Sequence, residues 1–286
     1  MSLVRPLQPS DAAALDAFLA RRADSSMFLR SNALAAGLVD RGEPLQATYV
    51  AAVEPGGIVG VAAHCWNGMV LVQAPAHAAA LAPEAVRRSR RAVSGFSGPW
   101  DQVVAARRAL GLDAAPTTRD SRDDLYVLDL AELVLPTALA SGTLRCRHPA
   151  ERELELLAEW RASFAVEALG AAAGPELHAA SRADVRLLHE RGADWVVLAG
   201  EAPVAYSAFN AMLPEIVQIG GVWTPPELRG RGNGRAVVAG SLLAARERNV
   251  RRAVLFADPR NTAAKRAYLA LGFRIAGDYG LVLLKG

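Results

Sequence analysis

The stretch VWTPPELRGRGNGR, residues 222–235, constrains this chain more than any other. An apolar run over residues 216–223 reads as a strand. It enters a Pro-Pro turn, then arginines and glycines. A helix follows over residues 234–249, with Val238, Leu242 and Ala245 on one face at helical spacing. Arg229, Gly232 and Gly234 stand at the spacing R-x-x-G-x-G. Glycines there let the backbone take positive φ and come close to a ligand. Successive amides then converge on one spot, and the helix N-terminus adds its partial positive charge. Arg229, Arg231 and Arg235 add full charges around it. The segment is an anion cradle or a flexible glycine turn, and the strand before it and helix after it favour the cradle. It is not a dinucleotide fingerprint, because no acidic residue closes a following strand about 20 residues on. It is not a nucleotide P-loop, because no G-K-[ST] is present.

Charge supports the same segment. Residues 229–274 hold eleven basic side chains against Glu247 and Asp258, a positive field that a phosphate-bearing ligand would feel, or else a solvated basic face. The net charge of +3 over the whole chain is too small to say anything alone. Only Lys265 and Lys285 are lysines, so the arginine richness reflects composition and argues for no nucleic acid partner. The run Arg87-Arg88-Ser89-Arg90-Arg91 has no interleaved aromatics and reads as an exposed helix. At 52% hydrophobic and 21% charged residues, long disorder is excluded. No run approaches a membrane span, and the opening residues lack the pattern of a secretory signal. Cys65 and Cys146 are too few and too isolated for a disulfide framework or a zinc site, and His148, His178 and His189 have no ligand spacing. The expectation is a cytoplasmic protein without metal, with no nucleic acid or membrane partner.

The chain reads as two halves of similar element order. In the first, residues 3–7 are strand-like and residues 11–22 helical. Residues 47–53 and 58–65 form a hairpin around Glu54-Pro55-Gly56-Gly57. Residues 69–72 extend the sheet, 83–91 and 101–110 are helical, and 125–130 is a last strand. PTALASG, residues 136–142, reads as a linker. The second half then runs strand 143–147, helix 151–169, hairpin strands 195–199 and 204–209, strand 216–223, helix 234–249, strand 253–257, helix 262–271 and strand 281–284. The expected domains are 1–135 and 143–286.

Two blocks in the second half carry a resemblance. PPELRGRGNGRAVV, residues 225–238, is similar to the pyrophosphate-binding loop and helix of the GNAT superfamily of acyl-CoA-dependent N-acyltransferases. Asn261 through Tyr268, followed by Leu271-Gly272-Phe273, resembles that family's N-x-x-(A/S)-x-x-x-Y-x-x-x-G-F block. The match is strong over 195–286 and weak over 143–194. The resemblance implies an α/β (α+β) fold of two GNAT-like domains, each a mixed, mostly antiparallel sheet flanked by helices. In the first half, Val72-Gln73-Ala74-Pro75-Ala76-His77 offers no glycine cradle. That half is expected to be a degenerate GNAT-like domain without a CoA site, and to shape the acceptor pocket or a dimer contact.

The resemblance also implies roles. Arg229, Gly230, Arg231, Gly232, Asn233, Gly234 and Arg235 would hold the CoA pyrophosphate, mostly through main-chain amides. Val222, Trp223 and Thr224 would pair with the pantetheine arm like an added strand. Asn233 departs from the family's apolar or aromatic residue at that position. Tyr268 would be the general acid that protonates the departing thiolate, or a packing tyrosine. Asn261 would touch the pantetheine arm or cap a helix. Glu215 is the candidate base or a solvated hairpin residue. Gln218 cannot act as a base. Glu167 would recognise a cationic acceptor or lie at a solvated helix end. The implied partners are acetyl-CoA and an amine acceptor, with a homodimer open. Two other readings stand beside the acetyltransferase: a non-catalytic CoA-binding sensor or scaffold, and a tandem-GNAT peptidyl or aminoacyl transferase.

Overall fold

The computed structural model describes residues 2–285. Along the chain the elements are β1 (Leu3–Pro6), α1 (Ala12–Ala20), α2 (Met27–Ala36), β2 (Ala47–Glu54), β3 (Gly57–Cys65), β4 (Met69–Gln73), α3 (Ala78–Ser89), β5 (Gly95–Gly98), α4 (Trp100–Ala109) and β6 (Thr117–Asp129). There follow α5 (Thr137–Ala140), β7 (Leu144–Arg147), α6 (Leu154–Leu169), α7 (Pro175–Glu190), β8 (Asp194–Ala199), β9 (Ala202–Met212), β10 (Ile216–Trp223), α8 (Asn233–Glu247), β11 (Arg252–Ala257), α9 (Thr262–Leu269) and β12 (Arg274–Leu284). They group into two compact units: Met1–Asp124 with Gly277–Gly286, and Leu125–Ala276.

In the first unit, β1 to β4 are antiparallel in sequence order. β5 then pairs with β4 in parallel. Successive side chains of a strand point to opposite faces, and β2 shows it. Tyr49 and Ala51 join a core with Leu15, Phe18 and Leu19 of α1. Val50 and Ala52 join another with Leu81 of α3 and Val103 of α4. The far edge of β5 is closed by the end of the chain: Gly280, Leu281, Val282 and Leu283 pair antiparallel with Gly98, Ser97, Phe96 and Gly95. The expected last strand of the second half thus completes the first unit. The expected linker, 136–142, carries α5 within the second unit.

α2 lies where the sequence reading marked no helix, and α5 in its expected linker; two further helices differ from that reading. α3 starts at Ala78 and keeps Pro83 in its interior, because Ala78, Leu81, Ala82 and Ala85 bury one face and outweigh the lost amide. α7 was not marked by periodicity, since only Ser181, Val185 and Leu188 of its residues are buried.

The second unit's sheet runs β11-β10-β9-β8-β7, with residues 125–129 of β6 beside β11. Trp195 and Val197 of β8, with Phe209 of β9, face the helix α8 core of Val237, Val238 and Leu242. Val196 and Leu198, with Tyr206 and Ala208, face Leu157 and Trp160 of α6 and Val185 and Leu188 of α7. No helix among the described residues is long and apolar enough to cross a membrane.

Candidate functional site

The site begins where two parallel strands part. β10 and β11 are in register at Ile216–Arg252, Val217–Ala253 and Gln218–Val254. Past Gln218, β10 continues to Trp223 and β11 to Ala257, with no further register pair between them. The edge of residues 219–223 is thereby open to an extended ligand, which would add to it as a strand would. Val222 and Trp223 lie on that edge, and Thr224 follows it.

The parting coincides with two irregularities against β9. Asn210 is the extra residue opposite Gln218 and Ile219, and its side-chain amide occupies the space a β-carbon at Gly220 would need. Gly221 lies in a second bulge with φ +61°, where a β-carbon would stand 2.5 Å from Nη1 of Arg161. Paired glycines inside an apolar strand are the sequence signal for such a bulge.

After β10, Pro225 leads a single 3-10 turn, Pro226–Leu228, into the glycine loop. Gly230 and Gly232 take φ +76° and +80°, which glycine adopts freely. Gly232 caps α8, and its carbonyl accepts the first helical bond from the Ala236 amide at 2.9 Å. Among the described residues, the amides of residues 230–235 have no acceptor. Gly234 passes close under Thr224, whose Oγ1 would be 3.3 Å from a β-carbon there. Asn233 is buried, and its Nδ2 donates to the Leu228 carbonyl at 3.0 Å. The residue that departs from the family pattern therefore ties the loop across its own neck.

The three arginines of the loop differ. Arg229 stacks over the Trp223 ring at 4.9 Å, and donates from Nε to the Thr224 carbonyl (3.0 Å) and from Nη2 to Glu167 Oε2 (2.9 Å). Glu167 thus neutralises a loop arginine. Arg231 is exposed and donates to the Glu227 carbonyl at 3.3 Å. Arg235 is half-buried, and its Nε is buried without a hydrogen-bond partner. Unfilled amides at a helix N-terminus beside an arginine with an unfilled donor fit a phosphate.

Tyr268 lies on α9, buried, with its ring edge-on to Tyr126 (5.6 Å) and Phe273 (5.9 Å). Burial, with the neighbouring Tyr126, pushes its phenol up to about 12. Asn261 caps that helix, its Oδ1 accepting the Ala264 amide at 3.0 Å. Glu215 is exposed at the start of β10, and its carbonyl accepts the amides of Arg251 (3.0 Å) and Arg252 (3.1 Å). That is the closed end of the strand pair. At ~3.3 Å per residue, Glu215 sits about 10 Å along the strand from the parting at Gln218. The structure brings together residues 222–224 and 229–235, and does not bring Glu215 to the opening. Sequence reasoning missed Arg161, Asn210 and Tyr206, which reach the site through tertiary packing alone.

Solved structures share the fold over the full length. A Drosophila protein aligns at TM-score 0.68 and 12% identity, with 99% of each chain covered. A GCN5-related N-acetyltransferase from Sphaerobacter thermophilus aligns at 0.56 and 19%, covering 100% of this chain and 96% of the other. A tandem GNAT protein from the clavulanic acid biosynthesis pathway aligns at 0.57 and 12%, covering 99% and 97%. The fold is that of the GNAT acyltransferases. Residues 154–273 match the acetyltransferase (GNAT) family model, and that segment is a GNAT-family domain. No curated protein matches the chain by sequence.

Proposed function

We propose that the second unit transfers an acetyl group from acetyl-CoA to an amine. The observation that carries the reading is the run of unfilled amides at residues 230–235, set directly after the open edge of β10. The loop would hold the pyrophosphate, with Arg235 completing its charge, and the edge of residues 222–224 would pair with the pantetheine arm. The thioester carbonyl would then meet an amine whose lone pair forms the new C–N bond. The C–S bond breaks and the pair stays on sulfur.

Two proton steps remain. The segments 219–223 and 255–257 contain no carboxylate, and Glu215 lies toward the closed end. Water reaching the opening is the proposed acceptor of the amine's proton. Tyr268 keeps its proton at every physiological pH. Burial disfavours the phenolate, so full transfer of its proton to the thiolate would be uphill. Tyr268 serves instead as a hydrogen-bond donor to the developing thiolate, which takes its proton from solvent.

The first unit is read as having no CoA site. β4 and β5 stay together to their ends: a β-carbon on Gly98 would stand 2.5 Å from the Val72 carbonyl oxygen. The Ala74 amide after β4 is taken by Gln102 Oε1 at 2.5 Å. One CoA per chain is expected. Calorimetric titration with CoA and acceptor-dependent thiol release test the reading. Two equivalent sites would refute the stoichiometry, and binding without turnover on any amine would favour the sensor.

A further inference from the structure

We propose that Arg161 binds a carboxylate on the acceptor, so that this domain acetylates amino acids in preference to amines lacking that group. The inference rests on the acetyl-transfer reading and specifies its second substrate.

Arg161 projects from α6 onto β10 just past the parting from β11. Its Cζ would be 3.7 Å from a β-carbon on Gly221, so the guanidinium covers the strand where an acyl group would be presented. The side chain is only 19% exposed, yet its single carboxylate contact is poor. Nη2 stands 3.5 Å from Asp184 Oδ2, at the outer limit of a hydrogen bond, and Asp184 is 57% exposed. Nε and Nη1 have no acceptor among the described residues. Buried guanidinium groups ordinarily fill their planar fork with carboxylate or carbonyl oxygens. Phe164, 5.9 Å from Cζ to ring centroid, stacks beside the fork without supplying an acceptor.

The same face of the sheet carries two more unfilled groups. Tyr206, registered opposite Trp223, has a buried hydroxyl without a partner. Gln218 lies between Val217 and Ile219, which face α8, and so points to the α6 side. Its Nε2 donates to the Ile219 carbonyl at 2.6 Å, while Oε1 is buried without a donor. Two donors, Arg161 and Tyr206, thus lie on the same face of the sheet as a lone acceptor, Gln218. An amino acid presents the complement: carboxylate oxygens for the first and amine N–H for the second. A simple alkylamine would fill only Gln218.

The test compares each amino acid with its own carboxamide at saturating acetyl-CoA, at equal fractions of neutral amine. Amino acids should be used with at least 10-fold higher kcat/KM. Arg161→Ala and the bulkier Arg161→Gln should raise KM for the amino acid by about 10- to 100-fold, the range for losing hydrogen bonds to a charged group. Their kcat should stay within threefold, and their KM for the carboxamides should rise less than their KM for the amino acids. A second arm needs no turnover: calorimetry of free amino acids into the CoA-saturated protein, with heat in the wild type and none in Arg161→Gln. Equal use of acid and amide, an unchanged KM in Arg161→Gln, or no amino acid binding by the wild type at millimolar concentration overturns the proposal. Failure of acetyl-CoA to bind or react overturns the acetyl-transfer reading instead, and the calorimetric arm, run then on the free protein, still decides the role of Arg161.

Discussion

Replacing Gly232 by aspartate and by alanine separates the cradle's electrostatics from its backbone. Gly232 has φ +80° at the cap of α8, and the nearest atom to a β-carbon there is Arg235 Nη2 at 3.9 Å. Either side chain therefore meets open space, and the folding cost is the left-handed conformation alone, about 1–2 kcal/mol. Aspartate tolerates that region better than most residues. The two variants diverge on binding. An aspartate carboxylate about 5 Å from a phosphate, at an effective dielectric near 20, repels it by about 3 kcal/mol, more than 100-fold in affinity. It also places a carboxylate beside Arg235 Nη2, drawing on the charge the phosphate would use. Gly232→Ala should weaken CoA by only a few-fold. The assay is calorimetric titration with CoA on protein whose Tm shows it folded. The reasoning fails if Gly232→Asp binds CoA as tightly as Gly232→Ala, since the phosphate then lies elsewhere.

Further outcomes follow from the same geometry. Tyr268→Phe should lower kcat by about 10-fold or more with the Kd for acetyl-CoA nearly intact, because a bond to developing thiolate acts in the transition state; unchanged turnover makes Tyr268 a core residue only. The log of kcat/KM should climb with pH at unit slope up to the acceptor amine's own pKa, with no enzyme inflection between 4 and 8, because water takes the proton; an inflection there, abolished by Glu215→Gln, would show a carboxylate base. Hydrogen bonds from Arg5 and from the Gln8 amide hold the Asp11 carboxyl at about 2, below its ordinary 3.8. Its contribution to stability is full above about 4 and lost as pH falls through about 2. Asp11→Asn should shallow the acid limb of Tm against pH and lower Tm at neutrality; an unchanged acid limb refutes the assignment.

The cradle was legible because its chemistry is local: glycines, arginines and a helix start in one run of sequence. Spacing marked Tyr268 as a candidate general acid or a packing tyrosine, and did not show its burial against Tyr126. The groups proposed for the acceptor were not, because Arg161, Tyr206 and Gln218 lie on α6, β9 and β10, and nothing local marks them as sharing one face of the sheet. Glu215 stands near the right position in sequence but toward the wrong end of the strand pair, a distinction made by where β11 leaves β10. β6 was read as only its apolar end, residues 125–130. Its charged beginning is strand as well, with the polar alternation absorbed by ion pairs: Arg119 with the buried Asp123, Arg107 with Asp120, and Arg122 with Asp278.

The chain's end was legible as a strand and misplaced in partnership, and this has a consequence for the first unit. A strand at the end of a sequence reads as belonging to what precedes it. Here residues 280–283 pair with β5, and Val282 is buried with Phe96 and Val103. Burying one valine contributes about 1.5–3 kcal/mol. A ladder of several backbone hydrogen bonds adds about 0.5–1.5 kcal/mol each, and Tyr279 is buried as well. The sum is comparable with the about 5–15 kcal/mol by which a whole domain is stable. Residues 1–124 alone therefore leave β5 as an unpaired edge over an open core. Truncation after Ala276 should make residues 1–124 protease-sensitive, while the loop at 229–235, which lies wholly in the second unit, still binds CoA. Supplying residues 277–286 as a peptide in excess should restore protection, since the strand acts through its pairing. A truncated chain whose first 124 residues resist protease like the intact protein would show that β5 needs no partner there, and the first unit would then be complete without the chain's end.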